Sequence, residues 1–271
     1  MKSSKTFRHP NTVQNIKNHA ITSGVPHINL GLLRDFEIPL PPVYAQRNIV
    51  NVLSSYDELI ENNVRRMDLL EESARLLYQE WFVRLRFPGH ECTCTNQCIP
   101  AGWERKHLVD MLTLKRGYDL PDSCRTDGDI PIVSSSGITG FHNAKKATAP
   151  GVVTGRYGTL GGVFFLQQDY WPLNTALYVS DFKGNHPAFI AHLLQHALGG
   201  TQSDKAAVPG LNRNVVHRLP VLSPPKQLRD EFANVAYLTY LQIDNLVKTN
   251  QKLGAARDLL LQRLMSGEIT V

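Results

Sequence analysis

From Val43 to Phe87 the pattern is helical, and mostly apolar residues recur at alternating intervals of three and four from Leu53 to Trp81. This spacing is a heptad pattern, which places one apolar seam along a helix and leaves charged residues such as Arg65 and Glu72 outside it. Proline and glycine at Pro88 and Gly89 then predict the end of the helix. The seam positions are Leu53, Tyr56, Ile60, Asn63, Met67, Leu70, Ala74, Leu77 and Trp81.

A second amphipathic segment runs from Pro225 to Met265 and stops before Gly267. A single helix of this kind would expose its apolar stripe to water, so each long helix needs the other or another partner. Asn63 and Asn250 fall on or near the two seams. Either they are buried and fix the register at a cost in stability, or they lie at the wet rim of a tilted helix. The second stripe contains Leu228, Phe232, Val235, Ile243, Leu246, Leu253, Leu260 and Leu264.

Short β-like runs and clustered glycines fill the region between these helices, together with one helix entered through Asn185 and left at Gly199. This pattern predicts a mixed α+β domain, with Trp103, Tyr170 and Trp171 as core candidates. The β-like runs are Ile130–Ser134, Val152–Thr154, Gly162–Leu166 and Ala176–Val179. The predicted organisation is a tail or domain remnant over 1–42, a long helix over 43–88, a linker over 89–100, the mixed domain over 101–224 and a second long helix over 225–271.

A repeated motif precedes both long helices. Val25–Asn29 (VPHIN) recurs as Val208–Asn212 (VPGLN), and each copy is followed by an apolar stretch and a double proline, Pro41-Pro42 or Pro224-Pro225. Such self-similarity indicates two copies of one structural unit. The layout is then helix, globular domain, helix, and the two helices can pair along their lengths. Such a pair suits a spacer that holds something at a fixed distance.

The composition allows a nucleic-acid partner. A net charge of +5 and a pI near 9.0 favour polyanions, although many basic proteins never bind nucleic acid. No apolar run reaches the roughly 18 residues that a membrane span needs. The polar start at 1–18 lacks a secretory signal, and four cysteines are too few for a disulfide framework, so a cytoplasmic location is expected.

Two patterns that resemble metal sites are incomplete. Cys92, Cys94 and Cys98 lie near His90, but zinc sites usually have a second paired half-motif that is missing here, which favours an unstructured linker. His192 and His196 are four residues apart on a predicted helix, as in zinc proteases, but a leucine stands where the catalytic glutamate would be. We therefore expect no bound metal.

Catalytic motifs are also incomplete. Asp122, Asp181 and Lys183 echo the halves of a metal-dependent nuclease site, but their separation is too long to be trusted. The sequence contains neither the phosphate-binding loop of motor ATPases nor the Asn/Asp-Pro-Pro-aromatic tetrad of amino-methyltransferases. We expect no catalytic residues and no cofactor, and a self-contained nuclease stays only as a weak alternative.

In combination, the motifs resemble the DNA-specificity subunit of type I restriction-modification systems. Each motif is weak by itself, but their order and spacing are specific, and the resemblance extends over nearly the whole chain. The resemblance rests on Leu30–Pro42 (LGLLRDFEIPLPP), Gln46–Phe82 (with YDELIENN and LLYQEWF), Pro88–Glu91, Pro100–Trp103, Asn174–Val179 (NTALYV), Val208–Asn212 and the ending RLMSGEITV.

The resemblance implies an α+β fold in which one mixed α/β target-recognition domain is flanked by two long helices that pair as an antiparallel coiled coil. The family's subunit is not catalytic: it reads double-stranded DNA and docks methyltransferase and motor-nuclease subunits. A full-length member has two recognition domains, whereas this sequence has one complete domain and a remnant over 1–42. It is either a half-subunit, which pairs with itself or with another half, or a truncated product, which could be a scaffold that binds only proteins.

The resemblance directs attention to glycine-bounded polar loops of the mixed domain. Glycine lets the backbone approach DNA, Arg or Lys suits guanine, and Asn or Gln suits adenine. Arg156 is the foremost candidate, and the alternative is hairpin turns with solvated charges. Asn212, repeated as Asn29, is interpreted as a turn residue. The candidate DNA-binding residues are Ser135, Ser136, Lys145, Lys146, Arg156, Tyr157, Thr159, Lys205 and Arg213.

Overall fold

A computed structural model describes residues 42–93, 95, 96, 99–156, 162–199, 211–266, 268 and 269. They form two compact units: a helical unit of residues 42–67 and 245–269, and a sheet unit of residues 68–244. The α-helices are α1 (Val43–Tyr78), α2 (Leu108–Met111), α3 (Pro187–Gly199), α4 (Arg213–His217) and α5 (Lys226–Ser266). The strands are β1 (Thr95–Asn96), β2 (Ile99–Pro100), β3 (Glu104–His107), β4 (Thr113–Arg116), β5 (Ile130–Ser134), β6 (Gly137–His142), β7 (Gly151–Gly155), β8 (Val163–Leu166), β9 (Trp171–Pro172), β10 (Ala176–Asp181) and β11 (Pro220–Ser223).

Each long helix begins directly after a double proline. The Pro42 carbonyl accepts the Gln46 N–H at 3.0 Å, and the Pro225 carbonyl accepts the Arg229 N–H at 3.2 Å. Proline suits the start of a helix because its fixed φ matches the helix and it has no N–H to leave unbonded. The repeated motif of the sequence therefore leads into two helices that start in the same way.

The helical unit has a small apolar core where α1 and α5 pair. Ile49 and Leu53 of α1 pack with Leu264 of α5, and all three side chains are buried. Further along α1, Asn63 contacts Asn250. Because the partner number on α5 falls as the number on α1 rises, the two helices run antiparallel in this unit.

Polar pairs join the same two helices. The Asn63 amide donates to Asn250 Oδ1 at 2.8 Å, and the Asn250 amide donates to the Ile60 carbonyl at 3.4 Å. Asn63 is only 9% exposed, which favours the buried, register-fixing alternative over the wet rim. Arg257 Nη1 lies 2.7 Å from Asp57 Oδ1 and adds an ion pair between the helices.

A four-stranded antiparallel sheet in the order β4-β10-β7-β8 divides the sheet unit into two cores. On one face, Leu114, Val152 and Leu177 join the larger core with the buried side of α3. On the other face, Val153 and Tyr178 join a smaller core next to the three-stranded sheet β6-β5-β9. The outer pair β3-β11 ties the start of the domain to its end.

Within the sheet unit, aromatic side chains at the end of α1 and at the start of α5 pack in the larger core. Phe82 lies beside Phe189 of α3 at a centroid distance of 5.4 Å, beside Phe232 of α5 at 5.2 Å and beside Trp103 at 6.0 Å. Tyr78, Phe82 and Trp103 are all buried. Tyr78 and Phe82 of the LLYQEWF motif are thus packing residues, and so is Trp103, as predicted.

The fold class is confirmed as α+β, with a mixed domain and two long helices. Two details differ from the sequence pattern. Regular α-helix in α1 ends at Tyr78 and continues as a π-helical turn over Gln79–Val83. Val235, assigned to the apolar stripe of α5, is 46% exposed, whereas Ala236 is fully buried. Within the described residues, no helix combines the length and apolar character that crossing a membrane requires.

Candidate nucleic-acid interface

Three arginines meet at one end of the four-stranded sheet. Arg116 ends β4 opposite Leu177 of β10, and Gly155 ends β7 opposite Ala176, so Arg156 follows at the same end of the sheet. Arg213 begins α4, and the Leu211 N–H before it donates to the Arg156 carbonyl at 2.7 Å. Strand register and one backbone hydrogen bond therefore bring together residues that are far apart in the sequence.

These arginines line a cleft of 440 Å³. The cleft is lined by two leucines together with polar and positively charged residues, and no Asp or Glu occurs among the described residues that line it. Its lining residues are Arg116, Arg156, Leu177, Leu211, Asn212, Arg213 and Asn214. We call this surface the arginine cleft.

Two of the arginines in the arginine cleft, Arg116 and Arg213, lack the carboxylate partners that other surface cations have in the described part of the chain. Elsewhere in the sheet unit, Lys183 pairs with Asp181 at 3.0 Å. In the part of the chain that the structure describes, neither Arg116 nor Arg213 forms an ion pair with a carboxylate. The Arg116 Nε–H instead donates to a backbone carbonyl, that of Asn174, at 3.2 Å. The cleft can therefore attract an anion.

His217 links the cleft helix α4 to strand β4. Its Nε2 accepts the Leu114 N–H at 2.9 Å, which requires a neutral ring nitrogen. Partial burial lowers the pKa of His217, and the nearby Arg213 charge lowers it further. A neutral His217 ties α4 to β4 and so holds Arg213 near Arg116.

A serine turn between β5 and β6 contacts the same end of the sheet. The Ser135 hydroxyl donates to the Thr175 carbonyl at 2.6 Å, and the Arg156 N–H donates to that carbonyl at 3.0 Å. Ser136 is exposed, and its hydroxyl lies 3.0 Å from that of Ser134. The structure thus brings Ser135 next to the backbone of Arg156.

Asn212 caps α4. Its side-chain oxygen accepts the Asn214 N–H at 2.9 Å, and its carbonyl accepts the Val215 and Val216 N–H groups. This is the behaviour expected of an N-cap residue, and it agrees with the interpretation of Asn212 as a turn residue. Asn212 also lines the arginine cleft, so the cap sets the position of Arg213.

The two predicted lysines lie in different surroundings. Lys145 pairs with Asp169 at 2.5 Å. Hydrogen bonds from Lys145 and from the Ala149 N–H lower the pKa of Asp169. Lys146 Nζ lies 5.0 Å from the ring centre of Trp171 and 5.6 Å from that of Tyr118, which is cation–π geometry. Neither lysine lines the arginine cleft.

The outcome for the candidate residues is mixed. Arg156 and Arg213 line the cleft, and Ser135 shares the Thr175 carbonyl with the Arg156 N–H. Tyr157, Thr159 and Lys205 lie outside the described residues. The sequence pattern missed Arg116, because nothing in the local run LKRGY indicates that this residue lies opposite β10. A predicted pairing of the two strands would have been needed to find it.

The other suspected sites have structural explanations. His192 Nε2 lies 3.3 Å from the Tyr240 hydroxyl and its ring stacks on Tyr78, while burial lowers its pKa to about 4. Asp181 is held by Lys183, and Asp122 by Arg125. The described residues contain no group of three or more His, Cys, Asp or Glu that could hold a metal, and they leave out Cys94 and Cys98.

Comparison with known proteins points to one class. Residues 7–72 match the sequence model of a family described as the type I restriction modification DNA specificity domain. The fold is similar to that of the S subunit of a type I restriction-modification system from M. genitalium, with a TM-score of 0.65 and 19% identity over 97% of this chain and 71% of that one. At this identity the likeness concerns the fold.

Two curated relatives are similar to this chain in sequence. The MjaIX specificity subunit of a type I restriction enzyme from Methanocaldococcus jannaschii is 35% identical over 103 residues, which cover 36% of this chain and 24% of that protein. The MjaVIII specificity subunit from the same organism is 25% identical over 104 residues, covering 38% of this chain and again 24% of the relative. The chain thus aligns with less than two thirds of these relatives. The resemblance stated from the sequence is confirmed: parts of the chain are similar in sequence to type I specificity subunits, and the fold is similar to that of the M. genitalium S subunit.

Proposed function

We propose that this chain is a non-catalytic, sequence-specific DNA-binding subunit of a type I restriction-modification complex. The observation that carries the proposal is the arginine cleft, where three arginines and two asparagines meet with no carboxylate among the described lining residues. Arg and Lys contacts to phosphates supply affinity, and Arg bonds to guanine or Asn bonds to adenine supply sequence discrimination. The cleft offers both kinds of side chain in one place.

The partners we propose are methyltransferase subunits and, through the complex, a motor-nuclease subunit. Exposed apolar residues on the long helices support a protein partner. On α1, Leu69 and Leu76 are seven residues apart, which is about two helical turns, and they are 69% and 44% exposed. Large apolar side chains in such a row are typical of surfaces that a partner covers.

These exposed residues also favour a second candidate, a coiled-coil scaffold that binds only proteins. The two functions differ in whether the sheet unit binds DNA. A scaffold would need the exposed helix faces but would gain nothing from an arginine cleft that lacks carboxylates. We therefore prefer the DNA-binding function.

The test is a selection of bound duplexes from a randomised double-stranded DNA pool by the full chain, alone and with type I methyltransferase subunits. We expect an enriched motif and an affinity that falls with salt, by about 0.9 log units per log unit of salt for each phosphate contacted. A symmetric motif would indicate two copies of the chain on one site. Assembly with the methyltransferase but no enriched motif would favour the scaffold.

A further inference from the structure

The backbone of Arg156 is held on both sides by hydrogen bonds. Its N–H donates to the Thr175 carbonyl at 3.0 Å, and its carbonyl accepts the Leu211 N–H at 2.7 Å. The first bond fixes Arg156 to the start of β10, and the second fixes it to the segment that leads into α4. The position of the arginine therefore depends on where the Thr175 carbonyl lies.

Ser135 binds the same carbonyl. Its hydroxyl donates to the Thr175 oxygen at 2.6 Å, and a carbonyl oxygen has two lone pairs that can accept both donors. The serine turn also lies directly on β7: a Cβ on Gly155 would come within 2.8 Å of the Ser135 carbonyl oxygen. The close approach is possible because residue 155 is glycine, and it brings the turn against the residue before Arg156.

The turn is itself held by internal hydrogen bonds. The Ser134 hydroxyl is buried, donates to the Gly137 carbonyl at 3.2 Å and accepts the Ser136 N–H at 3.2 Å. These bonds fix the backbone of the turn, so Ser135 presents its hydroxyl to Thr175 from a defined position. A hydroxyl that is already engaged with a carbonyl at 2.6 Å has less capacity for a direct bond to DNA.

We propose that Ser135 is a positioning residue, which fixes Arg156 for DNA reading through the carbonyl group of Thr175. The proposal rests on the DNA-binding function proposed above and deepens it. It assigns Ser135 an indirect role, in contrast to the direct DNA contact expected from the sequence. Arg156 is the group that meets the nucleic acid, and Ser135 acts through it.

A double-mutant cycle on the full chain tests the proposal, with a duplex selected from the randomised pool and a mismatched duplex as probes. We expect Ser135→Ala to lower the ratio of matched to mismatched affinity by about three- to ten-fold, the value of one hydrogen bond. In an Arg156→Ala background the same change should have no further effect, because the residue that Ser135 positions is gone. Ser135→Thr keeps the hydroxyl and should restore selectivity.

The matched control is Ser180→Ala, which removes another serine-to-carbonyl hydrogen bond, near the far end of β10, where the Ser180 hydroxyl donates to the Thr113 carbonyl at 3.2 Å. We expect this variant to keep full selectivity. Amide hydrogen exchange gives a second readout that needs no DNA: the Arg156 N–H should exchange faster in Ser135→Ala than in the wild type or in Ser180→Ala.

The outcomes separate this inference from the proposed function. Loss of selectivity from Ser135→Ala that is equal in both backgrounds would show a direct DNA contact and overturn the positioning role. Unchanged selectivity together with an unchanged Arg156 exchange rate would also overturn it. A wild-type chain that selects no motif, but whose Arg156 exchange responds to Ser135→Ala, would contradict the proposed function and leave only the backbone coupling.

Discussion

The Asn63 side-chain amide donates to Asn250 Oδ1 across the helix pair at 2.8 Å. Asn63 lies on the predicted seam of α1 and Asn250 lies on or near that of α5, and each is a polar residue in an otherwise apolar stripe. A buried amide in such a seam is satisfied only in the register that brings the two together. The pair therefore selects one antiparallel register of α1 and α5 in the helical unit.

Substitution of Asn63 tests whether the pair with Asn250 stabilises this helix register. Asn63→Leu should destabilise the helical unit by about 1–3 kcal/mol, because it leaves Asn250 Oδ1 without its hydrogen-bond donor. The double variant with Asn250→Leu should recover most of that loss, since an apolar pair removes the polar burial. Urea unfolding, with hydrogen exchange of residues 42–67, measures the effect. Asn62→Leu on the exposed face is the control. Equal losses for Asn62→Leu and Asn63→Leu would argue against a special role for the pair.

The seam of α1 could be predicted because its periodicity is local, and all nine predicted positions are at least partly buried. The prediction for Val235 is wrong for a physical reason. The buried face of α5 contains the small residues Ala233 and Ala236 at this turn, and the larger, more apolar Val235 lies between them. A pattern based on hydrophobicity therefore selects Val235 instead of the alanines. Helix periodicity identified the face, but not which residues of an alanine-rich turn are buried.

The arginine cleft was only half predictable. Arg156 lies between two recognisable strands, but Arg116 becomes part of the cleft through the pairing of β4 with β10, a contact between segments far apart in the sequence. Strand β3, with the sequence ERKH, and its partner β11 are short and lack a clear apolar alternation. These two strands pair across more than 100 residues of sequence, so the residue pattern within each strand does not predict the pairing.

Two glycines should respond in opposite ways to alanine. A Cβ on Gly151 would lie 2.2 Å from the ring of the buried Tyr170, whereas a Cβ on Gly254 in α5 would meet nothing within 4 Å. Gly151→Ala should therefore cost more than about 2 kcal/mol through overpacking. Gly254→Ala should stabilise α5 by about 0.5–1 kcal/mol, because alanine is the better helix former. Urea denaturation of both variants measures this, and a stable Gly151→Ala would contradict the tight contact.

The buried His192 should make the stability of the sheet unit depend on pH. Burial lowers the pKa of His192 from 6.5 to about 4, so the unfolded chain binds the proton more readily than the folded one. The stability contribution is complete above pH 6.5 and is lost as the pH falls from there to about 4, by an amount on the order of 3 kcal/mol. His192→Gln should flatten this part of the profile, measured as urea unfolding at several pH values. Profiles with the same slope for both proteins would rule out His192 as the cause.

Arg116 should contribute to DNA binding although the local sequence gives no sign of it. If it contacts a base edge, Arg116→Ala should weaken binding of the selected duplex by about 1–3 kcal/mol and relax the motif at one position. If it contacts a phosphate, the variant should weaken all duplexes alike and reduce the salt slope by about one. Lys183→Ala, which removes a cation paired with Asp181, is the matched control and should change neither. Binding isotherms at several salt concentrations distinguish the two contacts, and an Arg116→Ala variant that binds like the control would exclude this arginine from the interface.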